Sequence, residues 1–187
     1  FRHKRLFYIG GIVLFGVVTF ISSLDRDEIY INKEIGYRII VPAGWSLKES
    51  NKKATVVISQ KHGPFSAETK NNIRIEAVFG NPYGSTPLEY ILNGMLPQAQ
   101  YDFETVQHKV FALRKEPYSR YVNGQQWGIV NLLIDYDDFY IIYTTTVGEY
   151  TLVVILSAPK GPQQAAVEKS FYGIVNSMLF YPPVRRY

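Results

Sequence analysis

Residues 6–24, LFYIGGIVLFGVVTFISSL, carry no charged side chain, while Arg2, Lys4 and Arg5 crowd one flank and Asp25, Asp27 and Glu28 the other. At 1.5 Å rise per residue such a run reaches about 28 Å as a helix, close to the ~30 Å hydrocarbon thickness of a bilayer. Lipid offers no partners for free backbone N–H and C=O groups, so the helical state is the one expected there. The expectation is a single N-terminal transmembrane helix, with Leu6, Ile9, Ile12, Phe15, Val18, Phe20 and Ile21 meeting the lipid.

A cleaved secretory signal is the rival reading. Signal cores are shorter, roughly 7–15 residues, and end in a small-x-small cleavage site. A cut after Ser23 puts Ile21 at the −3 position, and a cut after Ser22 puts Phe20 there. Both are too bulky, so an uncleaved anchor is expected. Basic residues beside a span stay on the cytoplasmic side. Arg2, Lys4 and Arg5 therefore set the topology, and everything after residue 24 is expected on the external face. That reading places the chain in a bacterial inner membrane, N-terminus cytoplasmic and domain periplasmic. The alternative is a mitochondrial inner membrane or a thylakoid, with the domain in the intermembrane space or lumen.

Charge adds a restriction. The formal charge of the 187 residues is +4, but with Arg2, Lys4 and Arg5 set aside the rest carries 17 basic and 16 acidic side chains. The basicity is topogenic, and no basic stripe of the kind phosphate binding needs is present, so no nucleic-acid partner is expected. With no cysteine, disulfides, thiolate metal sites and cysteine nucleophiles are excluded together.

Beyond a linker at 25–35, the pattern predicts one domain over 36–180 and an extended tail over 181–187. Tyr37 to Val41 reads as a strand ended by Pro42, and Pro42-Ala43-Gly44-Trp45 as a turn delivering a Trp to the core. Ala54 to Ser59 is β-branched, and Lys61 to Asn72 is polar and loop-like. From Asn72 to Phe79, Ile73, Ile75, Ala77 and Phe79 alternate with Arg74 and Glu76, the period of a half-buried strand. Thr86-Pro87-Leu88-Glu89 is a capping box with Pro at the first helical position, and the spacing predicts a helix stopping at Pro97. A strand is expected over Phe103 to Leu113. Asn123-Gly124 marks a type I′ hairpin turn between Tyr118–Val122 and Gln126–Tyr136. Phe139–Val147 and Tyr150–Ser157 flank a tight turn at Gly148-Glu149, and the apolar run Leu152–Leu156 suits a central strand. A last helix is expected over Gln163 to Phe180, its apolar face built on Ala166, Ser170 and Ile174 with Phe171, Val175 and Met178. Hairpins and meanders make an antiparallel sheet, and two helices can cover it, so the class is α+β.

The segment Gly36-Tyr37-Arg38-Ile39-Ile40-Val41 leading into Pro42-Ala43-Gly44-Trp45 resembles the opening of the PsbP/Mog1/DcrB-like domains. The close, Phe171-Tyr172-Gly173-Ile174-Val175-Asn176-Ser177-Met178, is similar too. The resemblance covers roughly residues 34 to 180. It implies an antiparallel sheet sandwiched by helices (α-β-α) and a protein that acts by binding. The membrane span departs from the usual members and argues for a resident of a membrane assembly.

Candidate chemistry is sparse. Asp135, Asp137 and Asp138 are the densest acidic group and the weak candidates for a hard cation such as Ca²⁺, against the reading of a solvated hairpin end. His62 and His108 have no neighbour at ligand spacing. Trp45 and Trp127 could stack a ligand ring, but positions in or beside strands favour core packing. Tyr30, near the anchor, is expected at headgroup level. No nucleophile elbow, phosphate loop or dinucleotide fingerprint occurs. No catalytic residues, no cofactor and no enzymatic activity are therefore expected. The expected role is a non-catalytic accessory or assembly subunit of a larger membrane complex, its partners the other subunits and the lipid bilayer. The alternative is a membrane-anchored envelope ligand-binding or sensing module.

Overall fold

The computed structural model describes residues 26–50, 55–61 and 71–182. The apolar run 6–24 with its basic flank, His62, and residues 183–187 of the tail lie outside the described residues. Among the described residues, no helix is long and apolar enough to cross a membrane.

The chain enters through β1 (Glu28–Asn32), which pairs antiparallel with β2 (Tyr37–Val41). Within the expected linker, Glu28–Asn32 is thus a strand. Ile29 and Ile31 alternate with Tyr30, a strand period, and Asp27 Oδ1 anchors the entry by accepting from the Ala43 N–H at 2.8 Å. Then come β3 (Trp45–Glu49), β4 (Thr55–Gln60) and β5 (Asn72–Phe79). The strand β3 directly follows the Pro-Ala-Gly-Trp turn, a strand that alternation alone did not announce.

Helix α1 occupies residues 87–106. It opens on the expected capping box, with Thr86 Oγ1 accepting from the Glu89 N–H and the Glu89 carboxylate accepting from the Thr86 N–H at 3.0 Å. It does not stop at Pro97. The turn Ile91–Met95 widens to i→i+5 pairing, with the Leu96 N–H donating to the Ile91 carbonyl. Pro97 lacks an N–H, and its ring would crowd a carbonyl four residues back; a widened turn just before it relieves that crowding. Leu96–Gln100 is α-helical and Tyr101–Val106 widens again. Gln98 and Gln100 donate to Asp102 and Glu104 at 2.8 and 3.0 Å, pairs at i,i+4 that support the second half. Phe103 to Val106 is therefore helix, and the strand expected from Phe103 begins only at Phe111.

The remaining strands are β6 (Phe111–Val122), β7 (Gln125–Ile134), β8 (Asp138–Val147) and β9 (Tyr150–Pro159), followed by α2 (Gln164–Ser177) and the short β10 (Leu179–Phe180). Asn123 and Gly124 both have positive φ, 52° and 77°, as a type I′ turn requires. The large sheet is antiparallel in the order β3-β4-β5-β9-β8-β7-β6, which makes β9 its middle strand, as its apolar run implied. The small sheet is ordered β1-β2-β10.

Alternation along β9 divides two cores. Leu152, Val154 and Leu156 pack with Ile75, Ile129, Ile141 and with Phe171 and Ile174 of α2, beneath Tyr37 and Ile39 of the small sheet. Val153 and Ile155 pack on the opposite side with Val130, Leu132, Ile142 and with Tyr90 and Ile91 of α1. The result is a helix–sheet–helix sandwich. The buried face of α2 is Val167, Phe171, Ile174 and Val175, with Met178 buried just beyond it; of the expected face only Ala166, exposed, and Ser170, half-buried, fall outside it, and Val167 takes their place. In β5, Ile73 and Ile75 are buried, but Phe79 is exposed, because the strand runs past the edge of the core to meet Tyr150.

Candidate interaction site

The acidic group at the β7–β8 turn serves the turn. Asp135 sits at φ 51°, donates its N–H to the Val110 carbonyl at 2.9 Å, and accepts the Val110 N–H on Oδ1 at 2.7 Å. The Asp137 carbonyl accepts from the Lys160 N–H, and Asp138 opens β8 opposite Pro159. Among the described residues, no three His, Asp or Glu side chains are grouped so as to hold a metal ion. His108 lies in the connection between α1 and β6, at φ 55°.

Both tryptophans are core residues. Trp45 is buried at the start of β3. Trp127 is 1% exposed, edge-on to Tyr143 with ring centroids 5.8 Å apart and tilted against Phe180 at 6.1 Å. Neither offers a free ring face. Tyr30 also turns inward: its ring lies 6.1 Å from Tyr37, and its hydroxyl donates to Glu49 Oε1 at 2.9 Å. Headgroup contact by Tyr30 does not fit this placement. Period two makes Ile29 and Ile31 the outward residues instead.

The structure brings together a group that sequence reading did not single out. Strand β6 is an edge strand, and its pairing with β7 is interrupted between Leu113 and Lys115 and between Lys115 and Tyr118. These irregularities, with Pro117 inside them, disrupt the ladder at an edge and change which side chains face α2. Arg114 reaches Glu168 of α2 at 3.3 Å and lies 5.8 Å over the Phe139 ring. Lys115 Nζ lies 4.0 Å over the Tyr118 ring. Tyr118 pairs with Ile129, Ile129 with Tyr143, and Arg120 with Trp127, so all five share the α2-side face. Tyr172 of α2 completes the group, 6.4 Å from the Tyr143 ring.

Burial pushes the Tyr143 hydroxyl well above the usual phenol range; Tyr118 and Tyr172 add to this and Arg120 opposes it. Tyr172 is raised by burial first and then by Glu168. Phenols held in this way stay protonated at neutral pH, so they offer hydrogen bonds and ring faces rather than phenolate bases. The result is a Tyr–Arg–Lys flank along β6 and α2, suited to binding. In sequence, the bulges scramble its alternation, and Tyr172 lies more than fifty positions from Tyr118.

No protein-family model matches this chain, and no curated protein matches it. Solved structures do. Cyanobacterial PsbP from Synechocystis sp. PCC 6803 superposes with a TM-score of 0.59 at 14% identity, over 85% of this chain and 95% of that one. The Saccharomyces cerevisiae Ran-binding protein Mog1p gives 0.58 at 8% identity, over 83% and 96%. A Bacteroides thetaiotaomicron protein gives 0.50 at 13% identity, over 87% and 51%. The fold is therefore that of a PsbP/Mog1-like domain. At these identities the likeness concerns the fold alone.

Proposed function

We propose that this chain is a non-catalytic accessory or assembly subunit of a larger membrane protein complex. Residues 6–24 tether it by one span, and the domain stands on the external face. The observation that carries the reading is the flank of Arg114, Lys115, Tyr118, Arg120 and Tyr172. Tyr and Arg are enriched among the residues that dominate protein–protein binding energy. The uncharged run 6–24 supplies the membrane side of the argument. The same fold serves a Ran-binding protein in yeast, so it supports holding another protein. The preferred compartment is a bacterial inner membrane with a periplasmic domain; a mitochondrial inner membrane or thylakoid is the alternative.

The test is gentle detergent extraction and mass spectrometry of what migrates with the protein, comparing the natural chain with Arg120→Glu and Tyr172→Ala. Specific subunits that accompany the natural chain and are lost from the folded variants support the reading. A chain that migrates alone sinks it.

A ligand-sensing module is the second reading. It is favoured by Trp127 Nε1 and Asn131 Oδ1, both buried without a hydrogen-bond partner on the α2-side face. A small molecule that stabilises the chain against heat, and fails to stabilise Trp127→Phe, would move the choice to that reading.

A further inference from the structure

The small sheet is two-faced. Inward it buries Tyr37, Ile39 and Val41. Outward it exposes Ile29, Ile31, Ile40 and Leu179, at 61%, 50%, 40% and 43%. The register makes these four contiguous: Ile29 stands opposite Ile40, Ile31 opposite Arg38, and Arg38 opposite Leu179. Directly opposed side chains on one sheet face have Cβ atoms about 4.5–5.5 Å apart, so the four aliphatic groups and Arg38 form one surface. Scattered exposed aliphatics need no explanation; a clustered sheet face does.

What covers it is indicated by the chain. The uncharged run 6–24 ends at Leu24, five residues before Ile29. Five extended residues reach at most about 17 Å. The headgroup zone outside the hydrocarbon is roughly 5–8 Å deep. A span ending at Leu24 therefore keeps Ile29 within about 17 Å of the hydrocarbon edge, close enough for β1 to reach the headgroup zone. We propose that the outer face of the small sheet lies on the lipid interface, its four aliphatic side chains entering the headgroup–acyl boundary, with Arg38 extending its guanidinium to lipid phosphate. The inference rests on the single-span reading of residues 6–24. Residues 25–34 carry two basic and four acidic side chains, a net −2 that gives no attraction to anionic lipid, so apolar burial drives the contact, and salt leaves it largely intact.

The chain has no cysteine, so single-cysteine labelling is clean. The full chain is reconstituted in phosphatidylcholine–phosphatidylglycerol vesicles with an environment-sensitive fluorophore at one of four sites. These are Phe15→Cys in the run, Ile31→Cys and Ile40→Cys on the face, and Tyr136→Cys in the exposed β7–β8 turn. Nitroxides on lipids at shallow and deep positions serve as quenchers. The expected result is deep quenching at residue 15, shallow quenching with a blue shift at 31 and 40, and an aqueous signal at 136. Deep quenching at 15 with aqueous signals at 31 and 40 overturns this inference and leaves the anchor standing. An aqueous signal at 15 as well overturns both. Probes at 31 and 40 that become shielded only in the co-purified complex assign the face to a protein partner and overturn the lipid contact.

Discussion

Thr144 Oγ1 donates to the Pro87 carbonyl at 2.7 Å, in a fully buried position. This bond fastens the first turn of α1 to β8. The carbonyl lies where solvent cannot reach it, so the hydroxyl is its replacement for water. Thr144→Val keeps the shape and removes the donor. It is expected to cost about 1–3 kcal/mol, the penalty for an orphaned buried acceptor. Thr144→Ser should retain most of the stability. Urea unfolding reads this as a lowered midpoint with an unchanged slope for the valine variant; equal midpoints for all three chains would remove the bond from any structural role.

Gly128, the register partner of Thr144, has a related duty. A Cβ there would stand 2.7 Å from the Pro87 carbonyl group and 2.8 Å from Leu88 Cα, all backbone. The helix start cannot retreat without disturbing its capping box, so Gly128→Ala should destabilise by about 1–3 kcal/mol through overpacking. Gly173 is the contrast. It lies on the exposed side of α2 with nothing near its missing Cβ, and Gly173→Ala should stabilise by roughly 0.5–1 kcal/mol through helix propensity. Thermal melts should move in opposite directions.

Asn123 ties the hairpin tip to the end of α2. Its Nδ2 donates to the Asn176 carbonyl at 2.6 Å and more weakly to that of Met178 at 3.4 Å. Carbonyls at a helix C-terminus lack partners within the helix, and Asn also tolerates the φ of 52° that the turn demands. Asn123→Gly removes only the bond, whereas Asn123→Ala removes the bond and strains the turn. Chemical denaturation should rank the glycine variant between the natural chain and the alanine variant, with the alanine loss about 1–2 kcal/mol. An alanine variant as stable as the glycine variant would deny the turn its strain.

Tyr30 is pushed up to about 12 by burial and then by its bond to Glu49, and burial raises Tyr37 further still. In the unfolded chain both ionise near pH 10. A group whose folded pKa is raised contributes stability in full below the unfolded value, and loses it as pH climbs through the folded one. Stability should therefore fall between about pH 10 and pH 12. Tyr30→Phe/Tyr37→Phe should show a shallower fall in urea midpoint across that window. A double variant with the natural slope would mean that other groups govern alkaline unfolding.

Local signals in the sequence carried particular elements faithfully. Thr86 and Glu89 marked a helix start, because a capping box closes within four residues. Asn123-Gly124 marked a hairpin, because few residue pairs accept two positive φ values. The run Leu152–Leu156 marked the central strand, because only a strand buried on both faces needs apolar residues at every position. Pro97 misled, since a proline that normally ends a helix can be passed where a turn widens before it. On α2 the expected Phe171, Ile174, Val175 and Met178 are buried, whereas Ala166 and Ser170 are not, because small residues fit either side of a helix.

The α+β class, the uncharged N-terminal run and the lack of thiols are legible in the amino-acid order, because each is a property of short stretches or of composition. Which surfaces face outward together is set by the folded arrangement. The outer face of Ile29, Ile31, Ile40 and Leu179 needs register between strands some 140 positions apart, and the Tyr118–Tyr172 flank needs the side chains of a bulged edge strand to reach those of a helix packed on the sheet. Such proximities arise from pairing and packing of distant segments, and no local pattern encodes which distant segment will arrive.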